Sequence, residues 1–265
     1  MKTILGRKQS IKNEDWIKAL ENIEKFVSRE ELEELTDTTV KEIIDMTKGK
    51  KSAYGWSAGK DSIVLGHICE RAGIKDCFIG ISNLEYPAFL NWIMENKSEE
   101  CKIINTGQDI DWLSNHLEML FPKDSKISSR WFSIVQHKAQ RIYYKEHELD
   151  ILILGRRKAD GNYVGRGSNI YTDRNNVTRF SPLSEWKHEH ILAYIHYNKL
   201  SLPQIYNWYN GYKCGTHPWP ARPYTSDIMG GWKEIYDIDP SIVENAAEKI
   251  ESAKEFMEGL NNGNY

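Results

Sequence analysis

The stretch "WSAGKDS", Trp56 to Ser62, decides the fold. It lies between two apolar patterns of different period. Before it, "KSAYGW" is short and strand-like. After it, "DSIVLGHICERAG" puts Val64, Leu65, Ile68 and Ala72 on one helical face and stops at Gly73. A strand, a small polar turn and a helix in that order open a parallel α/β sheet. Gly59 permits a sharp turn and close approach of the backbone to a ligand. Backbone N–H groups at a helix start, with the positive end of the helix dipole, favour an anion. Ser57 and Ser62 add hydroxyls and Lys60 a point charge, so the span suits a phosphate. It is not a Walker A loop, because three residues separate Gly55 from Gly59 and Asp61 follows the lysine. It is not the dinucleotide fingerprint either, because G-x-G-x-x-G is missing.

Outward from this loop the alternation continues. "DCFIGIS", "CKIINTG" and "DILILG" have the pattern of buried strands, and a further strand falls near residue 178. "YPAFLNWIMENK", with Pro87 in its first turn, and the segments "DIDWLSNHLEMLF" and "SRWFSIVQHKAQRIYYKEHEL" are helical. Upstream, Trp16, Ile17, Leu20, Ile23 and Phe26 recur at helical spacing, and Ser28 is an N-cap for the next helix. The expected fold is α/β: a doubly wound, mostly parallel five-stranded sheet flanked by helices, with helical N- and C-terminal extensions. The expected boundaries are 1–49 for the N-terminal helical extension, 50–183 for the phosphate-loop α/β domain and 184–265 for a helical and loop region that completes the site. Within that last region "KCGTHPWPARPYTSDIMGGW" reads as a loop and "PSIVENAAEKIESAKEFMEGL" as one helix.

Composition narrows the classes. The chain has 265 residues, 40% of them apolar, and a net charge of −3. That charge gives no global field for nucleic acid or membrane. No run approaches the roughly 18–20 apolar residues of a membrane span. "MKTILGRKQSIKNEDW" has no apolar signal core. The four cysteines, Cys69, Cys77, Cys101 and Cys214, are scattered without a CxxC, which points to a reducing compartment and a cytoplasmic location.

"WSAGKDS" resembles the pyrophosphate-binding loop, S-x-G-K-D-S, of the adenine nucleotide α-hydrolase (PP-loop) superfamily, and later segments extend the resemblance to its phosphoadenylylsulfate (PAPS) reductase-like members. "ILILGRRKADG" is similar to the family's v-G-x-R-x-x-E-S, with Ala159-Asp160 where Glu-Ser is usual. "SRWFSIVQHKAQ" is similar to RWC-x-x-x-K-x-x-P, with Phe132 in place of the cysteine. "FSPLSEWKHEHILAYIHYNKLSLPQIY" resembles PL-x-x-W-x-x-x-D-V-W-x-Y-I…LP-x-x-x-LY, with His190 in place of Asp. The resemblance implies that Ser57, Ala58, Gly59, Lys60, Asp61, Ser62, Gly155, Arg156 and Arg157 bind an adenine nucleotide, and that Arg130 and His217 contact substrate.

Family members that use ATP keep the lysine and aspartate of the loop, and sulfonucleotide reductases lose them. With both present, the resemblance implies ATP split between the α- and β-phosphates to adenylylate an acceptor or drive sulfur transfer. Lys60 then neutralises the β/γ-phosphates and Asp61 places Mg²⁺. "KCGTH", Lys213 to His217, is close to the reductases' E-C-G-L-H, which implies the alternative of a thiol-dependent PAPS or APS reductase with Cys214 as nucleophile and a thioredoxin-type partner. Cys214 would instead be a persulfide carrier in a thiolation, or a loop cysteine without chemistry. A non-catalytic nucleotide-binding module is the third reading. The cysteine pairs of cluster-containing APS reductases are missing, so no iron–sulfur cluster is expected. The acceptor (sulfate, a nucleobase or a small metabolite) and the oligomeric state stay open. His188, His190 and His217 lack metal-ligand spacing. The aromatic-dense run Tyr206, Trp208, Tyr209, Tyr212, Trp219 and Trp232 suits either base stacking or the packing of a loop-rich region.

Overall fold

A computed structural model describes residues 5, 6 and 11–262; the segment read above for a signal core lies partly outside them. The elements run α1 (Asn13–Glu21), α2 (Arg29–Thr47), β1 (Ser52–Gly55), α3 (Lys60–Arg71), β2 (Cys77–Ile81), α4 (Pro87–Asn96), β3 (Cys101–Asn105), α5 (Ile110–Ser114), α6 (Ser125–Phe132), α7 (Lys138–Glu146), β4 (Ile151–Ile153), β5 (Ile170–Thr172), β6 (Thr178–Phe180), α8 (His188–Tyr197), α9 (Gly211–Cys214), α10 (Ile228–Ile238), α11 (Pro240–Ala247) and α12 (Glu251–Asn261). Local chemistry sets several of these ends. The Glu31 N–H donates to Ser28 Oγ at 3.1 Å at the start of α2. Beyond α3 the chain turns at Gly73, whose φ of 82° suits glycine.

The sheet has the order β3-β2-β1-β4-β6-β5. β1 pairs in parallel with β2 (Tyr54 opposite Cys77) and with β4 (Ala53 opposite Leu152), and β4 pairs in parallel with β6 (Ile153 opposite Phe180). The α/β class holds, and the sheet carries six strands where sequence reads five. The sixth, β5, runs antiparallel to β6. It lies at the sheet edge with none of its three residues buried, so it carries no core pattern, and it is held by a tight return in which the Asp173 N–H bonds Val177 O at 3.0 Å. Asp173 also clamps Arg179 of β6 at 2.8 Å.

The strand order fixes where a ligand belongs. From β1 the chain builds β2 and β3 on one side, then returns to the other side of β1 with β4. The carboxyl ends of β1 and β4 therefore flank the point where strand order reverses, which is where open α/β sheets hold ligands. β1 leads into Trp56–Ser62 and β4 into Gly155–Arg157.

The chain forms two compact units, each discontinuous in sequence. The first is Met1–Ile79, Lys97–Ile103 and Gln140–Lys213. Its core includes Ala53, Val64, Leu65, Ile68, Ile151, Leu152, Ile153, Phe180, Leu183 and Trp186, all buried. The second is Gly80–Asn96, Ile104–Ala139 and Cys214–Tyr265, with Phe89, Phe121, Trp131, Trp219, Trp232, Val243 and Phe256 inside.

Two helices of the second unit differ from the sequence reading. α10 forms where Gly230 and Gly231 suggest a loop, because Gly231 is a packing glycine: a Cβ there would lie 2.5 Å from the Phe121 ring. The carboxyl-terminal segment is two helices rather than one, α11 and α12, and the break buries both Ile250 and Phe256. Among the described residues no helix is long and apolar enough to cross a membrane.

Candidate functional site

The loop between β1 and α3 is held by its own hydroxyls. Ser62 Oγ accepts the Ser57 N–H at 3.0 Å and the Ser57 hydroxyl at 3.1 Å, and donates to Gly59 O at 2.9 Å. The left-handed residue of the turn is Ala58, with φ 53°, rather than Gly59. A non-glycine residue there stores backbone strain, as loops at functional sites do. Gly155 matters for proximity: a Cβ on it would lie 3.3 Å from Asp61 O, so its lack of a side chain lets the strand after-loop pass close to the start of α3. The first N–H of α3, from Lys60, donates to the Tyr206 hydroxyl at 2.7 Å. Tyr206 is buried, and sequence reading saw it only as one aromatic among several.

Beside the loop lies a buried chain of alternating charges. Lys60 Nζ sits 2.7 Å from Asp61 Oδ2, with its side chain only 2% exposed. Asp61 Oδ1 accepts from Arg157 Nε at 2.7 Å. Arg157, fully buried, also reaches Asp160 at 2.8 Å, the Trp186 carbonyl at 3.1 Å and His188 Nδ1 at 3.2 Å. Two cations and two carboxylates thus compensate one another, which is what permits charges in a dry interior.

Aromatic rings close this network. Lys60 Nζ lies 5.3 Å from the Trp16 ring, within cation–π range. Trp16 stacks flat on Tyr212 at 5.3 Å and meets His188 edge-on at 4.8 Å. Trp16 comes from α1, so the amino-terminal helices belong to the unit that carries the loop. Asn13 Oδ1 adds a second tie, accepting the Tyr212 N–H at 2.9 Å.

Arginine only donates, so His188 Nδ1 accepts and the neutral ring carries its proton on Nε2. Burial, then the Arg157 charge, lowers the His188 pKa from 6.5 to about 4. In the second unit burial raises Glu85 from 4.5 to about 7, against the two hydrogen bonds it accepts from Ser82.

The signs oppose. Between pH 6.5 and 4 the unfolded chain binds a proton that folded His188 refuses, so that contribution is complete above 6.5 and lost on acidification. Folded Glu85 keeps a proton that the unfolded chain releases above 4.5, so its contribution is present below 4.5 and lost as pH rises through 7. Each is worth on the order of 3 kcal/mol. From pH 7 to 5, urea melts of Glu85→Gln should therefore show stability falling more steeply than in wild type, and those of His188→Asn less steeply. Parallel pH profiles for both variants would refute the assignment.

The other residues singled out from sequence lie as follows. Arg156 is half-buried and donates to Tyr171 Oη at 2.7 Å. Arg130, Cys214 and His217 belong to the second unit. Arg130 is exposed and meets Glu118 at 3.3 Å. Cys214 is half-buried, and its thiol donates to the Arg222 carbonyl at 3.4 Å. His217 is half-buried in the loop beyond it.

A divalent cation held by the chain alone does not fit this arrangement. Both Asp61 oxygens are engaged by cations, and among the described residues no group of three or more acidic, histidine or cysteine side chains is placed to ligate a metal. Magnesium coordinated largely by phosphate oxygens, arriving with its nucleotide, needs no such cage.

The family model described as phosphoadenosine phosphosulfate reductase domain matches residues 51–214. Among solved structures, the phosphate complex of phosphoadenylyl-sulfate (PAPS) reductase from Candida auris is similar at 15% identity and a TM-score of 0.50, over 68% of this chain and 92% of that one. The NH3-dependent NAD synthetase from Campylobacter jejuni, in complex with the nitrate ion, matches at 15% identity and a TM-score of 0.47, over 85% and 96% of the two chains. NMN synthetase from Francisella tularensis matches at 13% identity and a TM-score of 0.49, over 88% and 96%. No curated protein matches the sequence.

Proposed function

Since the chain belongs to the phosphoadenosine phosphosulfate reductase domain family, within the PP-loop adenine nucleotide α-hydrolase superfamily, we propose that it is an enzyme that binds ATP with Mg²⁺ and cleaves it between the α- and β-phosphates. The observation that carries this reading is the loop itself. Lys60 and Asp61 are both present, at the amino end of a 12-residue helix and at the switch point of the sheet. A pyrophosphate leaving group needs positive charge where its own negative charge develops. The helix dipole and Lys60 are the sources nearest to hand. Asp61 holds Lys60 and takes Arg157 on its other oxygen, so Arg157 acts on the site through Asp61. Gly155 supplies the close backbone approach beside them. Lys60 is buried on Asp61 in this structure, so phosphate contact requires its ammonium to turn outward. The adenylyl group then passes to an acceptor, or drives a sulfur transfer. Four scattered cysteines without a CxxC suit a reducing, cytoplasmic setting.

A second reading is favoured by one feature. Cys214 is the last residue of the family match and is less buried than the other three cysteines. In a sulfonucleotide reductase it would be the nucleophile, with His217 on the substrate and a thioredoxin-type reductant.

Calorimetry with ATP–Mg²⁺, PAPS and APS separates the two. The expected result is ATP binding at least tenfold tighter than either sulfonucleotide, with Cys214→Ser leaving ATP cleavage unchanged. Tight PAPS or APS binding with weak ATP binding would overturn the first reading and make Cys214 the residue to test.

A further inference from the structure

Sequence spacing gives no hint of a cysteine pair, yet Cys77 and Cys101 come together in the first unit, with Cys69 buried near Cys77. Cys77 opens β2 and Cys101 opens β3, and these strands are neighbours in the sheet. The Thr106 N–H donates to Ile81 O at 2.8 Å, which sets the register of the two strands so that Cys77 stands opposite Cys101, and Cys77 Sγ lies 3.6 Å from Ser98 Oγ. Neighbouring strands run about 4.8 Å apart, inside the roughly 4.4–6.8 Å that a disulfide spans between Cα atoms. Cys69, at the end of α3, is the third member of the cluster.

The three thiols are chemically unequal. The Cys101 thiol, then Tyr54 and Ser98, donate toward Cys77 and pull it from 9.0 down to about 7, against the effect of burial. Cys101, as the proton donor, is pushed up. Cys69 is pushed up by burial and makes no such bonds with either. A thiolate-prone sulfur with a second thiol in contact is the arrangement of a nucleophile and its resolving partner. Both sulfurs lie just inside the rim of the sheet. Cys77 is 1% and Cys101 4% exposed, yet each follows directly on an exposed residue, Asp76 and Glu100.

We propose that Cys77 and Cys101 form a peroxide-oxidisable dithiol, a reversible modification site that joins the starts of β2 and β3. The Cys77 thiolate attacks the O–O bond of hydrogen peroxide. An S–O bond forms, the O–O bond breaks, and the departing oxygen leaves as hydroxide that takes up a proton. The Cys101 sulfur then attacks the sulfenic sulfur; the S–S bond forms, the S–O bond breaks, and water leaves with the Cys101 proton. Two thiols are oxidised and one peroxide is reduced to two waters. Burial makes the first step slow beside an exposed thiol, and in a reducing compartment the product is transient.

The test treats the purified full chain with hydrogen peroxide, alkylates it under denaturing conditions and maps unreduced peptides by mass spectrometry. The expected product is a Cys77–Cys101 linked peptide that dithiothreitol reverses, with Cys69 recovered as an alkylated thiol. Cys101→Ser should lose the link and leave Cys77 as a sulfenic acid that dimedone traps. Four alkylatable thiols after peroxide treatment of the wild type, or a link made through Cys69 or Cys214 instead, would overturn the proposal.

Discussion

Lys60→Met is expected to lower ATP cleavage by about 10²–10³-fold, the scale of what removing one donor from a site that stabilises developing negative charge costs. The structure adds a second consequence, because the Lys60 ammonium is also the partner of Asp61, at 2.7 Å. Breaking a buried pair by deleting one member costs about 3–5 kcal/mol when the other is left uncompensated. Here Arg157 still holds the opposite Asp61 oxygen, and Asp61 is 21% exposed, so the loss belongs at the low end. The methylene stem of Met can still pack on Trp16. Denaturant melts and steady-state pyrophosphate release, measured on the same preparation, read the two effects separately. Lys60→Arg is the control: it keeps charge near Trp16 and Asp61 and should stay folded, but places a planar fork where a point charge stood, so activity should recover only in part. Pyrophosphate release by Lys60→Met within threefold of wild type would reduce Lys60 to a structural counter-ion and end the case for ATP as substrate of this loop.

How much of this was legible beforehand depends on the range of the interaction. The loop, its strand and its helix were readable because a strand pattern, a small polar turn and an amphipathic run are adjacent in sequence. Ser28 as a cap and the stop at Gly73 were readable for the same reason. The opposite fate of Gly231 shows the limit: glycine in a helix looks like a breaker until the Phe121 ring that excludes a side chain is seen 110 residues away in sequence. β5 escaped because its residues, at the edge of the sheet and none of them buried, lack the apolar run that marks β4. Within the site, "GRRKADG" draws attention to two arginines equally, yet one is half-buried on Tyr171 and the other is the fully buried centre of four polar contacts. Nothing local distinguishes them. Asp160, which departs from the family's Glu-Ser pattern, turns out to face Arg157 across one turn. Trp16 and Tyr206 were invisible as site residues because their partner, Lys60, is 44 positions after the first and 146 before the second.

Arg157→Met should be the most destabilising single change at the site. The guanidinium is fully buried and bonds Asp61, Asp160, the Trp186 carbonyl and His188. Methionine fills much of the volume and satisfies none of them. Asp160, whose side chain is 8% exposed, would be left without its cation, and the expected loss is about 3–5 kcal/mol. Against a total stability of about 5–15 kcal/mol that is a large share. Arg157→Lys keeps the charge but offers one compact donor group where a fork spans two carboxylates, so it should recover only part of the loss. Asp160→Asn, which removes one partner and keeps the shape, should cost less, about 1–3 kcal/mol. In Arg157→Met/Asp160→Asn an uncharged amide replaces the carboxylate that Arg157→Met alone would strand, so the double variant should be more stable than the sum of the singles predicts. Urea melts of the four proteins close this cycle, and calorimetry with ATP–Mg²⁺ on the same set supplies the second axis. If Arg157 works through Asp61, affinity should fall in step with the loosening of Asp61 and return partly with Arg157→Lys. If Arg157→Met instead keeps full stability and loses nucleotide, the guanidinium meets phosphate directly, and the buried network is a resting arrangement that the ligand takes apart.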